Sequence, residues 1–212
     1  MSWYEESGAD KLAKNSALIY AELCLRAEQP GAVLEADARQ IALDVPRTGV
    51  SLYRYCCLKN VTEDDVLDMK PLKPFMDCLK RILTTYSARN IRVGYVQGHG
   101  DVVCYILGSI LKYYNITHNI CKDGVDEDIE AQVFWVYCVL MERIFPSDFF
   151  SRTPKLQGFH VDMDVLSLLI QRKLPTLAAI LTQVKKVLCV CVCMYFGIVL
   201  MLLKQILIKN RC

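Results

Sequence analysis

Ser87-Ala88-Arg89-Asn90-Ile91-Arg92-Val93-Gly94-Tyr95-Val96-Gln97-Gly98-His99-Gly100-Asp101 lies between two apolar helical patterns. Leu79, Ile82, Leu83 and Tyr86 precede it at helix spacing, and Val102, Val103, Ile106, Leu107, Ile110 and Leu111 follow. Between them Gly94, Gly98 and Gly100 permit sharp turns and close backbone approach. Gln97 is a neutral amide placed just before a glycine at a helix entry. It has two readings: a side chain that reaches out to orient a water or a phosphate oxygen, and a polar cap for a helix beginning near Asp101.

Working outward, nearly every periodic segment is helical. Leu12, Ala13, Ser16, Ile19, Tyr20, Leu23 and Cys24 predict one helix closed by Pro30-Gly31. Leu34 to Leu43 predicts a second, with Pro46 barring helix through Val45. Thr48 to Val61 shows no period and reads as an irregular connection. Pro71 and Pro74 suit the start of a helix from about Leu72 to Tyr86, where a missing N–H costs little. Helices follow over Asp101 to Tyr114, Glu130 to Phe145, Asp162 to Lys173 and Pro175 to Ile180. Glu130 to Phe145 is apolar on most sides (Val133, Phe134, Trp135, Tyr137, Leu140, Met141), which marks a central helix. Val165, Leu166, Leu169 and Ile170 form the expected apolar face of Asp162 to Lys173. No strand alternation survives, so the expected fold is all-α.

The chain has 212 residues, 53% of them hydrophobic and 23% charged, which suits one domain with a real core and excludes a disordered protein. A net charge of +2 and the absence of a basic, aromatic-interleaved stripe argue against nucleic acid as a partner. Met1-Ser2-Trp3-Tyr4-Glu5-Glu6 has neither the basic nor the apolar region of a signal peptide, so a cytoplasmic setting is expected. The 11 cysteines contain no Cys-x-x-Cys pair and read mostly as small buried apolar residues. Asp123 to Asp128 is acidic but lacks the ligand pattern of an EF-hand loop, and acid there already favours the start of the next helix. No metal site is expected.

The second informative stretch is Gln40-Ile41-Ala42-Leu43-Asp44-Val45-Pro46-Arg47-Thr48. Arg47 follows a proline on a segment leaving a helix, and Asp44 stands three residues before it, within reach of a charge-assisted bond. The competing reading is a surface ion pair of little energetic consequence.

Ile41-x-x-Asp44-x-x-Arg47 followed downstream by Tyr95-x-Gln97-Gly98 resembles the paired signature motifs of the TBC domain, the all-helical catalytic domain of activators of Rab-type small GTPases. The resemblance extends through Tyr86 to Asn90, Phe134-Trp135, Leu140 to Pro146, Asp148 to Phe150, Asp162 to Leu166 and Lys173 to Leu177, and covers approximately Trp3 to Gln183. It implies an irregular multi-helix domain in which Arg47 and Gln97 are the catalytic residues, both entering the nucleotide site of a bound Rab-family GTPase. Asp44 would orient Arg47 and Tyr95 would support Gln97, with Ile41 and Gly98 completing the motifs. No cofactor of the chain's own is implied, since GTP and Mg²⁺ would belong to the partner. The implied setting is peripheral to endomembranes, in vesicle trafficking.

Three departures from the family pattern accompany the resemblance. If Trp3 is the tryptophan of the family's first motif, that motif's arginine would precede Met1. His99-Gly100 stands where methionine and a small polar residue are usual; a structural histidine and a catalytic base are its two readings. After Gln183 the expected last helices give way to Val184-Lys185-Lys186 and the uncharged run Val187 to Leu203. Residues 184–212 form a Val/Cys-rich tail with three open readings, the last being an unexplained core helix. One is a membrane tail anchor, since the run is near the lower length limit for a span. Another is translated intron, because Gln183-Val184-Lys185 is compatible with a splice-donor sequence and alternating Val-Cys with a GT-repeat. The expectation is thus a TBC-like domain over residues 3–183, truncated at both ends, with a catalytically impaired binding or regulatory module as the alternative function.

Overall fold

A computed structural model of the chain describes residues 2–56, 73–115, 124–152 and 155–183. The described residues form helices and no strand, as the sequence pattern requires: α1 (Trp3–Glu6), α2 (Ala9–Lys14), α3 (Tyr20–Ala27), α4 (Glu35–Cys56), α5 (Lys73–Arg89), α6 (His99–Tyr113), α7 (Glu127–Val139), α8 (Gln157–Lys173) and α9 (Pro175–Gln183). The chain divides into two units, Met1–Phe145 and Pro146–Cys212. Among the described residues no helix is long and apolar enough to cross a membrane. The Val187 to Leu203 run lies outside them.

In the first unit α7 is central, packing against α1, α2, α3, α5 and α6. Val133, Phe134, Trp135, Tyr137 and Cys138 are all buried, which explains a helix that is apolar nearly all round. It meets Phe75, Leu79, Ile82, Leu83 and Tyr86 of α5 and Val103, Ile106, Leu107 and Ile110 of α6 in one core. A carboxylate is buried at the junction of three of these helices. Glu130, 2% exposed, accepts from Arg81 Nε at 2.9 Å and Nη2 at 2.6 Å and from the Tyr20 hydroxyl at 2.7 Å. Two donors on one arginine and a phenol satisfy the carboxylate that burial would otherwise penalise, and the network ties α3, α5 and α7 together. Cys78, Cys104 and Cys138 are buried thiols, as small apolar residues should be. The α7 helix ends in a wider π turn, Leu140–Ile144, closed by Phe145 N–H to the Leu140 carbonyl at 3.0 Å, before Pro146.

Several boundaries differ from the sequence reading. The single helix expected through Leu12 and Cys24 is two, because Ser16 Oγ accepts from Leu18 N–H to form a turn and the Glu22 carboxylate accepts from Ile19 N–H to start α3. The α7 helix begins three residues before the expected Glu130, where Asp126 caps Asp128 and Ile129 N–H. The α8 helix begins at Gln157 rather than Asp162.

The most consequential difference is at Pro46. The α4 helix does not stop at Val45 but runs through Pro46 to Cys56, over the first part of the stretch expected to be irregular. The proline removes the bond that its N–H would have donated to the Ala42 carbonyl. Pro46 and Ala42 both lie on the exposed face of α4, so water can solvate that carbonyl. The opposite face carries Asp37, Ile41, Asp44, Val45 and Thr48, all buried, and α4 packs with it along α5 and α6. Tertiary packing on both sides of the proline outweighs its local preference.

Candidate functional site

Arg47 follows from this face pattern. It is a helical residue on the outer side of α4, with its side chain 75% exposed. One turn back on the inner edge, Asp44 has a side chain only 8% exposed. Its Oδ2 accepts from Gln40 Nε2 at 3.0 Å and from the Tyr95 hydroxyl at 3.0 Å. Arg47 Nη1 stands 3.9 Å from Asp44 Oδ1. That distance is a loose ion pair in solvent and not a hydrogen bond. The guanidinium is guided by Asp44 without being locked against it.

The loop carrying Gln97 is built from Asn90. Asn90 Nδ2 donates to the Tyr86 hydroxyl at 3.1 Å, and the Asn90 carbonyl accepts from Gly94 N–H at 2.7 Å. Gly94 takes a positive φ of 59° there, a conformation costly for any residue with a Cβ. The chain then runs out through Tyr95 and turns again at Val96–His99. His99 N–H donates to the Val96 carbonyl at 3.0 Å, and Val96 N–H donates back to His99 Nδ1 at 3.4 Å. Gln97 and Gly98 are the two central residues of this turn. Gly98, at φ 102°, occupies the position that demands glycine and is the N-cap of α6 without any side-chain cap. The cap reading of Gln97 therefore does not hold. Its side chain is exposed at the tip of a glycine-shaped turn.

The structure joins the two motif stretches through buried groups. Besides the Tyr95 hydroxyl on Asp44, Tyr95 N–H donates to Asp37 Oδ2 at 3.1 Å. Tyr95 is thus pinned at both ends by carboxylates of one face of α4. Burial, with the Asp44 carboxylate next, raises the Tyr95 phenol pKa and keeps it a proton donor. Asp37 was not singled out in the sequence. With helix continuing through Pro46, the Asp37, Ile41, Asp44, Thr48 spacing places all four on one stripe. Reading Pro46 as a stop hid that stripe.

Close approach sets the register below this clamp. A Cβ built on Gly100 would stand 2.9 Å from Thr48 Oγ1, so Gly100 is what lets α6 approach α4 at that level. His99 is fully buried, edge-on to Tyr95 at 5.6 Å and to Tyr137 at 6.0 Å. Burial pushes its pKa from 6.5 down to about 3, so it is a neutral core imidazole. Its ring sits inside the protein, away from solvent, which fits a structural role and not a base. Asp101, in the first turn of α6, has its pKa raised by burial and by the Asp44 carboxylate.

Two open clefts, of about 330 and 310 Å³, run along α3 and α5; neither is lined by Arg47 or Gln97. No group of three metal-ligating side chains gathers among the described residues. Arg47 and Gln97 are instead held outward from a buried carboxylate–phenol clamp.

The chain belongs to the Rab-GTPase-TBC domain family, whose model matches residues 14–205. Among curated proteins it is similar to TBC1 domain family member 2A of Rattus norvegicus, 31% identical over 169 residues, covering 80% of this chain and 14% of that protein. It is also similar to small G protein signaling modulator 3 of Mus musculus, 28% identical over 181 residues, covering 85% and 19%. Growth hormone-regulated TBC protein 1 of Rattus norvegicus is 30% identical over 125 residues, covering 58% and 36%. The chain spans 12% to 14% of the length of the TBC1 domain family member 2A proteins it matches. No solved structure matches significantly.

Proposed function

We propose that this domain accelerates GTP hydrolysis on a Rab-type small GTPase by supplying Arg47 and Gln97 in trans. The observation that carries the reading is the 3.0 Å bond from the Tyr95 hydroxyl to Asp44. It fastens the Gln97 loop to the helix of Arg47 while Arg47 itself remains 75% exposed. Arg47 has a planar, permanently charged donor set suited to the oxygens of a transferring phosphoryl group. Gln97 can donate to and accept from an attacking water without any shifted pKa. Nucleotide and Mg²⁺ belong to the partner, and the chain needs no cofactor of its own. On this reading the protein acts in the cytoplasm, peripheral to endomembranes, where vesicle-trafficking GTPases are loaded.

The test is single-turnover GTP hydrolysis over a panel of Rab-type GTPases. Arg47→Ala is expected to cost on the order of 10³-fold in rate, the lower end of the arginine-finger range, with Gln97→Ala also strongly reduced. Equal rates for the unaltered chain and both variants would refute the mechanism. A second reading, a module that binds a GTPase without accelerating it, is favoured by the outward apolar stripe on α8 (Val161, Val165, Leu168, Leu169), which leaves surface of the second unit open. Binding with no acceleration by any variant would select it.

A further inference from the structure

Gln97 stands between the two least constrained residues of its loop, Gly94 at φ 59° and Gly98 at φ 102°. A glycine at positive φ makes such a turn possible but does not hold it, because glycine has more conformations open to it than any other residue. A side chain that is to orient a water has to be held to within about 0.5 Å. After Gln97 that hold is the packing of α6 on α4, where Gly100 lies against Thr48. Before Gln97 it comes through Tyr95, two residues upstream. The Tyr95 hydroxyl is fixed on Asp44, but that bond holds the tip of a ring and leaves the main chain able to pivot behind it. The main chain itself is held by Asp37, whose Oδ2 accepts from Tyr95 N–H at 3.1 Å.

We propose that Asp37 is a positioning residue for Gln97: its buried carboxylate fixes the main chain entering the loop, so that the Gln97 amide meets the attacking water. The inference rests on the reading above in which Gln97 orients that water. Asp37 is 5% exposed and lies in the first turn of α4. The helix dipole favours a carboxylate at that end, so a negative charge can be kept inside the protein there. A bond from an amide to an ionised acceptor is also stronger than one to a neutral oxygen. Asp37 and Asp44 are two helical turns apart, about 10.5 Å along the α4 axis. Tyr95 is therefore gripped at two well-separated points, by its backbone and by its phenol, and neither bond can act as a pivot. Because both grips belong to α4, the arm that carries Gln97 is fixed to the same helix that carries Arg47. Asp37 touches neither water nor nucleotide in this assignment; its effect passes through Gln97.

The test is steady-state GTP hydrolysis by the full chain, with the Rab-type GTPase of the panel that the unaltered chain accelerates most. Asp37→Ala should lower kcat by about 10- to 100-fold, the scale of loss for a misplaced catalytic group, and leave KM for the GTP-loaded GTPase within about threefold. Asp37→Asn keeps an oxygen that can accept from Tyr95 N–H and should hold kcat to within about fivefold. A double-mutant cycle separates positioning from general structural support. Added to Gln97→Ala, Asp37→Ala should change the rate by less than about threefold, because residues that act as a unit are not additive. An equal loss with and without Gln97 would make Asp37 a structural residue only and overturn the proposal, as would an unchanged kcat in Asp37→Ala. If Asp37→Ala loses its near-ultraviolet circular dichroism, Asp37→Glu, which keeps the charge and displaces the carboxylate by one methylene, is read by the same cycle. Full activity of Asp37→Ala beside loss of rate in Arg47→Ala and Gln97→Ala would overturn this assignment and leave the catalytic reading standing. No acceleration of any GTPase by the unaltered chain would overturn both.

Discussion

Removing a single hydroxyl, in Tyr95→Phe, separates the anchor of the candidate site from the residues it presents. Tyr95 is 6% exposed and donates to a carboxylate whose side chain is 8% exposed. A hydrogen bond to a charged, buried acceptor contributes about 1.5–3 kcal/mol. The substituted ring keeps its edge contact with His99, and Asp44 keeps the Gln40 amide at 3.0 Å, so the loss is confined to the one bond. For a chain of this size each kcal/mol shifts the melting temperature by roughly 2–4 °C, so Tyr95→Phe should lower it by about 3–12 °C. Arg47→Ala removes a 3.9 Å pair in solvent and should cost less than about 1 kcal/mol. The assay is thermal unfolding followed by near-ultraviolet circular dichroism for Tyr95→Phe, Asp44→Asn, Arg47→Ala and the two double variants that include Asp44→Asn. The Tyr95–Asp44 coupling should exceed about 1 kcal/mol and the Arg47–Asp44 coupling should stay below about 0.5 kcal/mol. If Arg47→Ala destabilises as much as Tyr95→Phe, then Arg47 is a structural ion-pair partner and the reasoning that presents it to a GTPase fails.

Two further outcomes follow from the packing around this clamp. His99 has its pKa lowered from 6.5 to about 3 by burial, so between those values the unfolded chain holds more protons than the folded one. Its contribution to stability is complete above pH 6.5 and falls by about 1.4 kcal/mol per pH unit as the pH drops toward 3. His99→Met should therefore lose roughly 2 kcal/mol less than the unaltered chain between pH 7 and pH 5, read from urea midpoints at each pH; parallel pH profiles would show that a neutral buried imidazole is not what His99 contributes. Gly100→Ala places a methyl group 2.9 Å from Thr48 Oγ1 and should cost about 1–3 kcal/mol by overpacking. Thr48→Ala added to it should recover most of that loss in chemical denaturation, whereas a Gly100 effect arising from backbone freedom alone would not be rescued.

The helical class, the central place of α7 and the two motif stretches were legible in the order of residues. Local periodicity and short-range glycine chemistry are set within a few residues: Gly94 and Gly98 announce turns wherever they stand, and a helix with Val133, Phe134, Trp135 and Tyr137 around its circumference has to be interior. What the sequence could not show was which local preference would be overruled. Pro46 carries a strong local signal to stop, and only the packing of Asp37, Ile41, Asp44 and Thr48 against elements from elsewhere in the chain outweighs it. The same holds for the clamp. Tyr95 lies 51 residues from Asp44 and 58 from Asp37, and no periodic pattern relates positions that far apart. On α8 both faces carry apolar residues at helical spacing, so periodicity alone could not decide which turns inward. The identities of Arg47 and Gln97 were available from the sequence by itself. Their outward presentation from one shared, buried base was decided by tertiary structure, because burial and hydrogen bonding depend on what the rest of the chain brings alongside.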